Sequence, residues 1–269
     1  MDSPVRVTAR VEDGSTVVGE RARSDAPGTP LLLLPGQSLG PDVFTGFADL
    51  LDRGTFVVAT RGTEGSARAR ESAWTTELFA ADAVAVLDAA GIARCDVLGF
   101  SMGGRVAQQL AARHPDRVRR LVLAATGPGG RAEVARPAEV DAMLPTAVAE
   151  EDDAARRALA ELFFTPAFVA AHPDVAARFR PQGTPRSRRR HHAASRRHDA
   201  ADLLPRIQAP TLVLHGLEDR LTPPGNADVL ARAIPDADVH LLPGARHGCL
   251  HEPAGPALAA VTAFLGRDG

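Results

Sequence analysis

Six short apolar runs, each separated from the next by a longer segment, constrain the fold more than any other feature of this sequence. They lie at residues 31–34, 56–59, 96–100, 121–125, 211–215 and 239–242. Short runs of this kind are typical of strands that are buried on both faces, as in a parallel sheet. Apolar residues at helical spacing separate several of the runs, notably over 75–90, where Gly91 ends the pattern. This alternation predicts an α/β fold with a mostly parallel sheet flanked by helices.

The N-terminal segment departs from the alternation. Residues 5–11 and 16–18 have the composition of strands, and Glu12-Asp13-Gly14 joins them as a turn signal. Such a pair predicts an antiparallel hairpin that precedes the parallel part of the sheet.

The alternation also stops between Gly127 and Leu204, where no convincing strand pattern is present. Short helices are predicted there at 140–149, 154–164 and 167–180. An insertion fits this pattern, and it would lie above the carboxyl edge of the sheet, where open α/β folds bind ligands. We therefore expect a core of residues 1–127 and 204–269 with a helical cap of residues 128–203.

Composition argues against several classes of protein. The formal net charge of the 269-residue chain is -2, which gives no reason to expect nucleic acid as a partner. The two cysteines, Cys95 and Cys249, are too few for a disulfide framework or a thiolate metal site. No metal-ligand cluster or dinucleotide fingerprint is visible, so no cofactor is expected. The longest aliphatic run is far too short to cross a bilayer, and we expect a cytoplasmic protein that does not bind a membrane.

The chemistry of the chain is suggested by one serine that stands between two glycines. In Gly99-Phe100-Ser101-Met102-Gly103, an apolar run gives way to a helical pattern that continues to about Arg113. A serine in a sharp strand-to-helix turn crowds its own backbone, so the positions two before and two after it must lack bulk. The segment predicts a nucleophile elbow, with the N-terminus of the helix pointing at the space above Ser101.

A serine hydroxyl is a weak nucleophile, and it needs a histidine to take its proton and a carboxylate to orient that histidine. Candidate acids, Glu218 and Asp219, follow the apolar run at 211–215. Candidate histidines are His215, His240, His247 and His251.

These motifs resemble those of the α/β-hydrolase superfamily, whose members carry a serine, an acid and a histidine in this chain order. The likeness is strongest to capped members such as 3-oxoadipate enol-lactonases, small esterases and cofactor-free haloperoxidase-like hydrolases. It implies an eight-stranded sheet. The family pattern H-G-x-x-D selects Asp219 as the acid, and the pattern G-A-x-H selects His247, so the resemblance implies a triad of Ser101, Asp219 and His247.

Two N–H donors are also expected, because acyl transfer develops an oxyanion that must be stabilised. The backbone N–H of Met102, directly after the nucleophile, is the first candidate. By resemblance to the family's His-Gly loop, the second is the backbone N–H of Gln37. Pro35 replaces the family's histidine in this loop, which is a departure from the pattern.

Three further features each have two interpretations. Four aromatic residues can line an apolar pocket or simply pack in helices: Trp74, Phe163, Phe164 and Phe168. The arginine-rich run at 186–192 is either a solvated face or a patch that steers an anionic substrate or a carrier protein. Arg61 begins a segment that resembles the family's R-G-x-G-x-S loop, whose role is usually structural.

We therefore expect a cofactor-independent serine hydrolase that cleaves a small or medium ester, lactone or thioester through an acyl-enzyme on Ser101. The same triad can serve biosynthetic acyl transfer, cyclisation or chain release from a carrier. The alternative from another class is a non-catalytic receptor that keeps the fold and uses the pocket for ligand binding.

Overall fold

The computed structural model describes residues 5–23, 26–63, 65–66, 73–149, 153–252 and 254–267. Eight strands form one sheet in the order β1-β2-β4-β3-β5-β6-β7-β8. Their bounds are Val5–Arg10 (β1), Thr16–Ala22 (β2), Leu31–Leu34 (β3), Thr55–Ala59 (β4), Cys95–Phe100 (β5), Val118–Ala124 (β6), Thr211–Gly216 (β7) and Ala237–Leu242 (β8). Strand β2 is antiparallel to both β1 and β4, and β3 to β8 are parallel. The predicted N-terminal hairpin and the mostly parallel sheet are confirmed.

Nine α-helices lie in the described part of the chain. They are Thr76–Ala89 (α1), Met102–Arg113 (α2), Ala138–Ala149 (α3), Asp153–Phe163 (α4), Pro166–Ala171 (α5), Pro173–Arg178 (α6), Pro185–Arg196 (α7), Gly225–Ala233 (α8) and Ala254–Leu265 (α9). Helix α1 begins where the Thr75 hydroxyl accepts a hydrogen bond from the Leu78 N–H at 3.0 Å. It ends before Gly91, which has a φ of 69°.

Each face of the sheet carries its own apolar layer, which explains why β3 is apolar at every position, whereas the edge strand β8 is mostly exposed. Along β3, Leu32 and Leu34 pack in the layer that contains Val86 of α1 and Leu110 of α2. Leu31 and Leu33 pack in the opposite layer, whose residues include Phe264 of α9 and Phe163, Phe164 and Phe179 of the segment between β6 and β7. Burial on both faces is what a continuous apolar run requires.

Helices α3 to α7 lie between β6 and β7, and we call residues 128–203 the helical insertion. Helices α3 and α4 agree with the helices predicted at 140–149 and 154–164. The predicted single helix at 167–180 is wrong, because α5 ends at Ala171 and α6 starts at Pro173. Proline lacks the N–H that a continuous helix would use there, but it suits the first position of a new helix. Helix α7 contains the arginine-rich run.

Candidate active site

Ser101 lies at the junction of β5 and α2, with a backbone conformation that few non-glycine residues adopt. Its φ is 54° and its ψ is -119°. The Ser101 N–H donates to the Ala124 carbonyl at 2.9 Å, and the Thr126 hydroxyl donates to the Ser101 carbonyl at 2.7 Å. These two bonds to β6 and the residues that follow it hold the strained turn in place.

The glycines around Ser101 are required by close backbone contacts. A methyl group on Gly103 would overlap the Leu34 carbonyl, and one on Gly99 would overlap the Gly103 carbonyl. The helix therefore approaches β3 and β5 more closely than any side chain would allow. This is the arrangement that the sequence predicts for the G-x-S-x-G segment.

The structure brings Ser101, His247 and Asp219 together in one line of hydrogen bonds. His247 Nε2 lies 2.9 Å from Ser101 Oγ, and His247 Nδ1 lies 2.7 Å from Asp219 Oδ2. Because a carboxylate only accepts, Nδ1 carries the proton, and the neutral imidazole then accepts the Ser101 proton at Nε2. His247 and Asp219 are buried, whereas Ser101 is half-buried.

Asp219 is held as a carboxylate by its surroundings. Its Oδ1 accepts hydrogen bonds from the Leu221 and Thr222 N–H groups, both at 2.8 Å. Burial alone would raise the pKa of Asp219, but the interactions with His247 and His215 outweigh burial and lower it to about 2. His215 Nε2 lies 3.4 Å from Asp219 Oδ2 and 2.7 Å from the Thr222 carbonyl.

The two candidate oxyanion donors lie on segments that meet at Gly103. Met102 is the first residue of α2, so its N–H precedes the helical hydrogen-bond ladder. Gln37 lies in the loop after β3, which contacts the same helix terminus through the Leu34 and Pro35 carbonyls near Gly103. Among the described residues, neither N–H donates a hydrogen bond to a protein group. Within this part of the chain, both N–H groups are therefore without a protein acceptor.

Three of the four aromatic pocket candidates, Phe163, Phe164 and Phe168, lie together, and Trp74 does not. The Phe163 ring centroid is 5.1 Å from that of His247, beside the triad. The Phe164 centroid is 6.2 Å from that of Phe163, and Phe168 stacks on Phe164 at 4.9 Å. Trp74 lies in the opposite apolar layer, against Phe79 and His191.

Several residues that lie close to the triad were not predicted from the sequence. The Phe100 ring centroid is 5.2 Å from that of His247, and the Phe179 centroid is 5.1 Å from that of Phe163. Thr126 carries a usable signal, since a polar residue directly after a parallel strand lies at the same sheet edge as Ser101. Phe179 carries none, because it lies at the end of a short helix of the insertion.

Arg61 has the structural surroundings that the family resemblance implies. Its guanidinium is buried and forms two hydrogen bonds to Asp82, at 2.5 and 2.6 Å. A third, to Asp13, is 2.5 Å long. Arg61 therefore ties the loop after β4 to α1 and to the β1–β2 hairpin.

Within the described ranges, no group of three or more His, Cys, Asp or Glu side chains is placed to hold a metal ion. No described helix has both the length and the apolar character that crossing a membrane requires.

Comparison with known proteins agrees with the fold. A family model described as the alpha/beta hydrolase fold matches residues 29–254. The chain is 36% identical over 181 residues to the pimeloyl-(acyl-carrier protein) methyl ester esterase of Chromobacterium violaceum, a match that covers 63% of this chain and 69% of that protein. It is 32% identical over 230 residues to a 2-hydroxymuconate semialdehyde hydrolase of Pseudomonas putida, covering 80% and 79%. The solved structure of the enol-lactonase from Burkholderia xenovorans superposes with a TM-score of 0.82 at 26% identity, covering 97% of this chain and all of that one.

Proposed function

Because this chain belongs to the alpha/beta hydrolase fold family and is an enzyme of the hydrolase type, we propose that it cleaves a small or medium carboxylic ester, lactone or thioester through an acyl-enzyme on Ser101. The observation that carries the proposal is the continuous hydrogen-bonded line from Ser101 through His247 to the buried Asp219. A non-catalytic receptor does not require a carboxylate buried behind a histidine that contacts a strained serine, so this arrangement favours an enzyme.

The proposed reaction has two halves. Ser101 Oγ attacks the carbonyl carbon while His247 Nε2 takes its proton, and Asp219 stabilises the imidazolium that forms. The Gln37 and Met102 N–H groups donate to the oxyanion of the tetrahedral intermediate. His247 then gives its proton to the leaving oxygen or sulfur. In the second half, His247 activates a water molecule that releases the acid and frees Ser101.

The helical insertion is proposed to act as a cap that shapes the acyl site. It contributes Phe163 beside His247, and the Gly248 N–H in the histidine loop donates to the Phe163 carbonyl at 2.8 Å. Phe100 and Phe179 extend this aromatic wall, which favours an apolar acyl group over a charged one next to the scissile bond.

The proposal is tested with a fluorophosphonate probe and a chain-length panel of p-nitrophenyl esters and lactones. Wild type is expected to be labelled and to turn over the esters, and Ser101→Ala to lose labelling and about 10⁶-fold in turnover, as in other serine triads. Ser195→Ala removes a hydroxyl from α7 and is the control. It is expected to keep both probe labelling and ester turnover. Labelling without turnover would favour acyl transfer to another acceptor or a receptor, and wild-type turnover in Ser101→Ala would refute the mechanism.

A further inference from the structure

The loop that carries Gln37 is held by the helical insertion as well as by the core. Ser38 follows Gln37, is buried, and has a φ of 57°. It is the third residue of a turn closed by the Leu39 N–H to the Gly36 carbonyl at 3.1 Å. A positive φ at that turn position favours glycine, so a serine there must be held by its contacts.

Two residues of the insertion provide those contacts. The Gln182 N–H, just before α7, donates to the Ser38 carbonyl at 2.6 Å. The Ser38 hydroxyl lies 3.0 Å from His191 Nδ1, a nitrogen that belongs to α7. Ser38 is thus bonded through both its backbone and its side chain to the insertion.

The other partner of His191 determines which of its ring nitrogens accepts. His191 Nε2 lies 2.7 Å from the Arg61 carbonyl, which only accepts, so Nε2 carries the proton. The neutral ring then accepts the Ser38 hydroxyl proton at Nδ1. Burial between Trp74 and Phe79 keeps the ring neutral, and it lowers the pKa of His191 to about 4.

Pro35 makes these contacts more important to the loop. It stands where family members carry a histidine, and a proline ring has neither a side-chain hydrogen bond to offer nor a backbone N–H. The imidazole that contacts the loop in this chain instead comes from α7, 153 residues after Ser38 in the sequence.

We propose that His191 is a positioning residue for the oxyanion hole: by holding Ser38, it fixes the direction of the Gln37 N–H. This inference rests on the proposed function, because it assigns a role in stabilising the oxyanion that forms on attack by Ser101. The hole is then assembled from three parts of the chain, namely the loop after β3, the start of α2 and helix α7.

The test compares His191→Leu and Ser38→Ala with a matched control, His198→Leu. His198 is an equally buried histidine of the insertion that contacts the core elsewhere, through Thr76 Oγ1 at 2.9 Å and Gln108 Oε1 at 3.1 Å. For each protein, kcat and KM are measured with p-nitrophenyl butyrate, together with the Ki of an alkyl trifluoromethyl ketone and the melting temperature. The ketone forms a tetrahedral adduct on the serine and so reports on the oxyanion hole.

His191→Leu and Ser38→Ala are expected to lower kcat by about 10-fold to 100-fold and to raise the Ki of the ketone by a similar factor, with KM nearly unchanged. The double variant is expected to lose no more kcat than the more impaired of the two single variants, because both substitutions remove the same hydrogen bond. His198→Leu is expected to lower the melting temperature with little change in kcat.

Two conservative variants separate the two sides of the imidazole. The side-chain oxygen of His191→Asn can take the place of Nδ1 towards Ser38, whereas the amide nitrogen of His191→Gln can take the place of Nε2 towards Arg61. Compared with His191→Leu, His191→Asn is therefore expected to restore more of kcat than His191→Gln. Greater restoration by Gln would overturn the proposal, since the Arg61 contact would then be the one that matters.

The outcomes also separate this proposal from the one on which it rests. If wild type has no Ser101-dependent turnover, both fail. If wild type is active and His191→Leu changes only KM or melting temperature, or if His198→Leu loses as much kcat, the positioning role alone is refuted.

Discussion

At the residue scale, the assignment of the acid can be tested against its immediate neighbour. Asp219 is buried and bonded to His247, whereas Glu218 is exposed. Asp219→Asn should keep the two N–H contacts of the side-chain oxygen but no longer fix the proton on His247 Nδ1, so kcat is expected to fall about 10⁴-fold at neutral pH. Steady-state kinetics with a p-nitrophenyl ester measures this. Glu218→Gln is the control, and a larger loss in that variant would reassign the acid.

The two cysteines give a second prediction at this scale. Burial raises the pKa of Cys95 to about 12, and burial, together with the nearby Asp219 charge, raises the pKa of Cys249 as well. Thiolates are the reactive form, so neither residue is expected to react with Ellman's reagent in the native protein at pH 8. Both are expected to react in denaturant. Fast reaction of one thiol in native protein would show that its surroundings open readily.

Sequence reasoning narrowed the triad to a few candidates because each lies after a strand of a parallel sheet, whose carboxyl ends share one edge. The family resemblance then selected Asp219 and His247 from these candidates. It did not reach the Ser38–His191 contact, since nothing local relates two polar residues so far apart in the chain. Aromatic residues were equally ambiguous, because nothing in the sequence indicates that Phe163 and Trp74 pack in opposite layers.

At the element scale, the close approach of α2 to β3 can be tested at Gly103. A methyl group there would meet the Leu34 and Pro35 carbonyls, which belong to the segment leading to Gln37. Gly103→Ala is therefore expected to cost about 1–3 kcal/mol in the free energy of unfolding, through overpacking, and to lower kcat. Urea denaturation and ester kinetics measure the two effects.

Gly255 provides the control within a helix, because a methyl group there would meet no atom within 4 Å. Gly255→Ala in α9 is expected to leave kcat unchanged and to stabilise the protein by about 0.5 kcal/mol, since alanine loses less backbone entropy than glycine. Equal losses of stability in both variants would contradict the steric explanation.

The strands were easier to predict than the helices of the insertion, for a physical reason. A strand such as β7 is buried on both faces, and its apolar run marks its bounds directly. Helices α5 and α6 span six residues each, and their bounds depend on Pro173 more than on apolar spacing. Their contacts with the core come from the tertiary structure, which no local pattern contains.

At the scale of the whole molecule, three buried histidines link the insertion to the core and predict how stability depends on pH. They are His191, His198 and His251, the last of which lies between Phe179 and the Val43 carbonyl. Burial lowers the pKa of His191 and of His251 to about 4 and that of His198 to about 3. Each is therefore neutral in the folded protein at a pH where the unfolded chain would protonate it.

Below pH 6.5 the unfolded chain binds these three protons and the folded protein does not, so the free energy of unfolding falls as the pH falls from 6.5 towards 4. Near pH 5 the three groups together contribute a slope of about 4 kcal/mol per pH unit, since each proton contributes about 1.4. Urea denaturation at pH 7, 6 and 5 measures this slope.

A histidine substitution tests whether this pH dependence of the free energy of unfolding comes from contacts between the insertion and the core. His251→Gln removes one of the three groups and is expected to reduce the slope near pH 5 by about 1.4 kcal/mol per pH unit, even if it lowers stability at pH 7. Because all three histidines lie where the insertion meets the core, acid should separate these two parts before it unfolds the sheet. The native fluorescence of Trp74, whose ring lies 5.1 Å from that of His191 in α7, should then be lost at a higher pH than the far-UV circular dichroism. Coincident loss of both signals would show that insertion and core unfold as one unit.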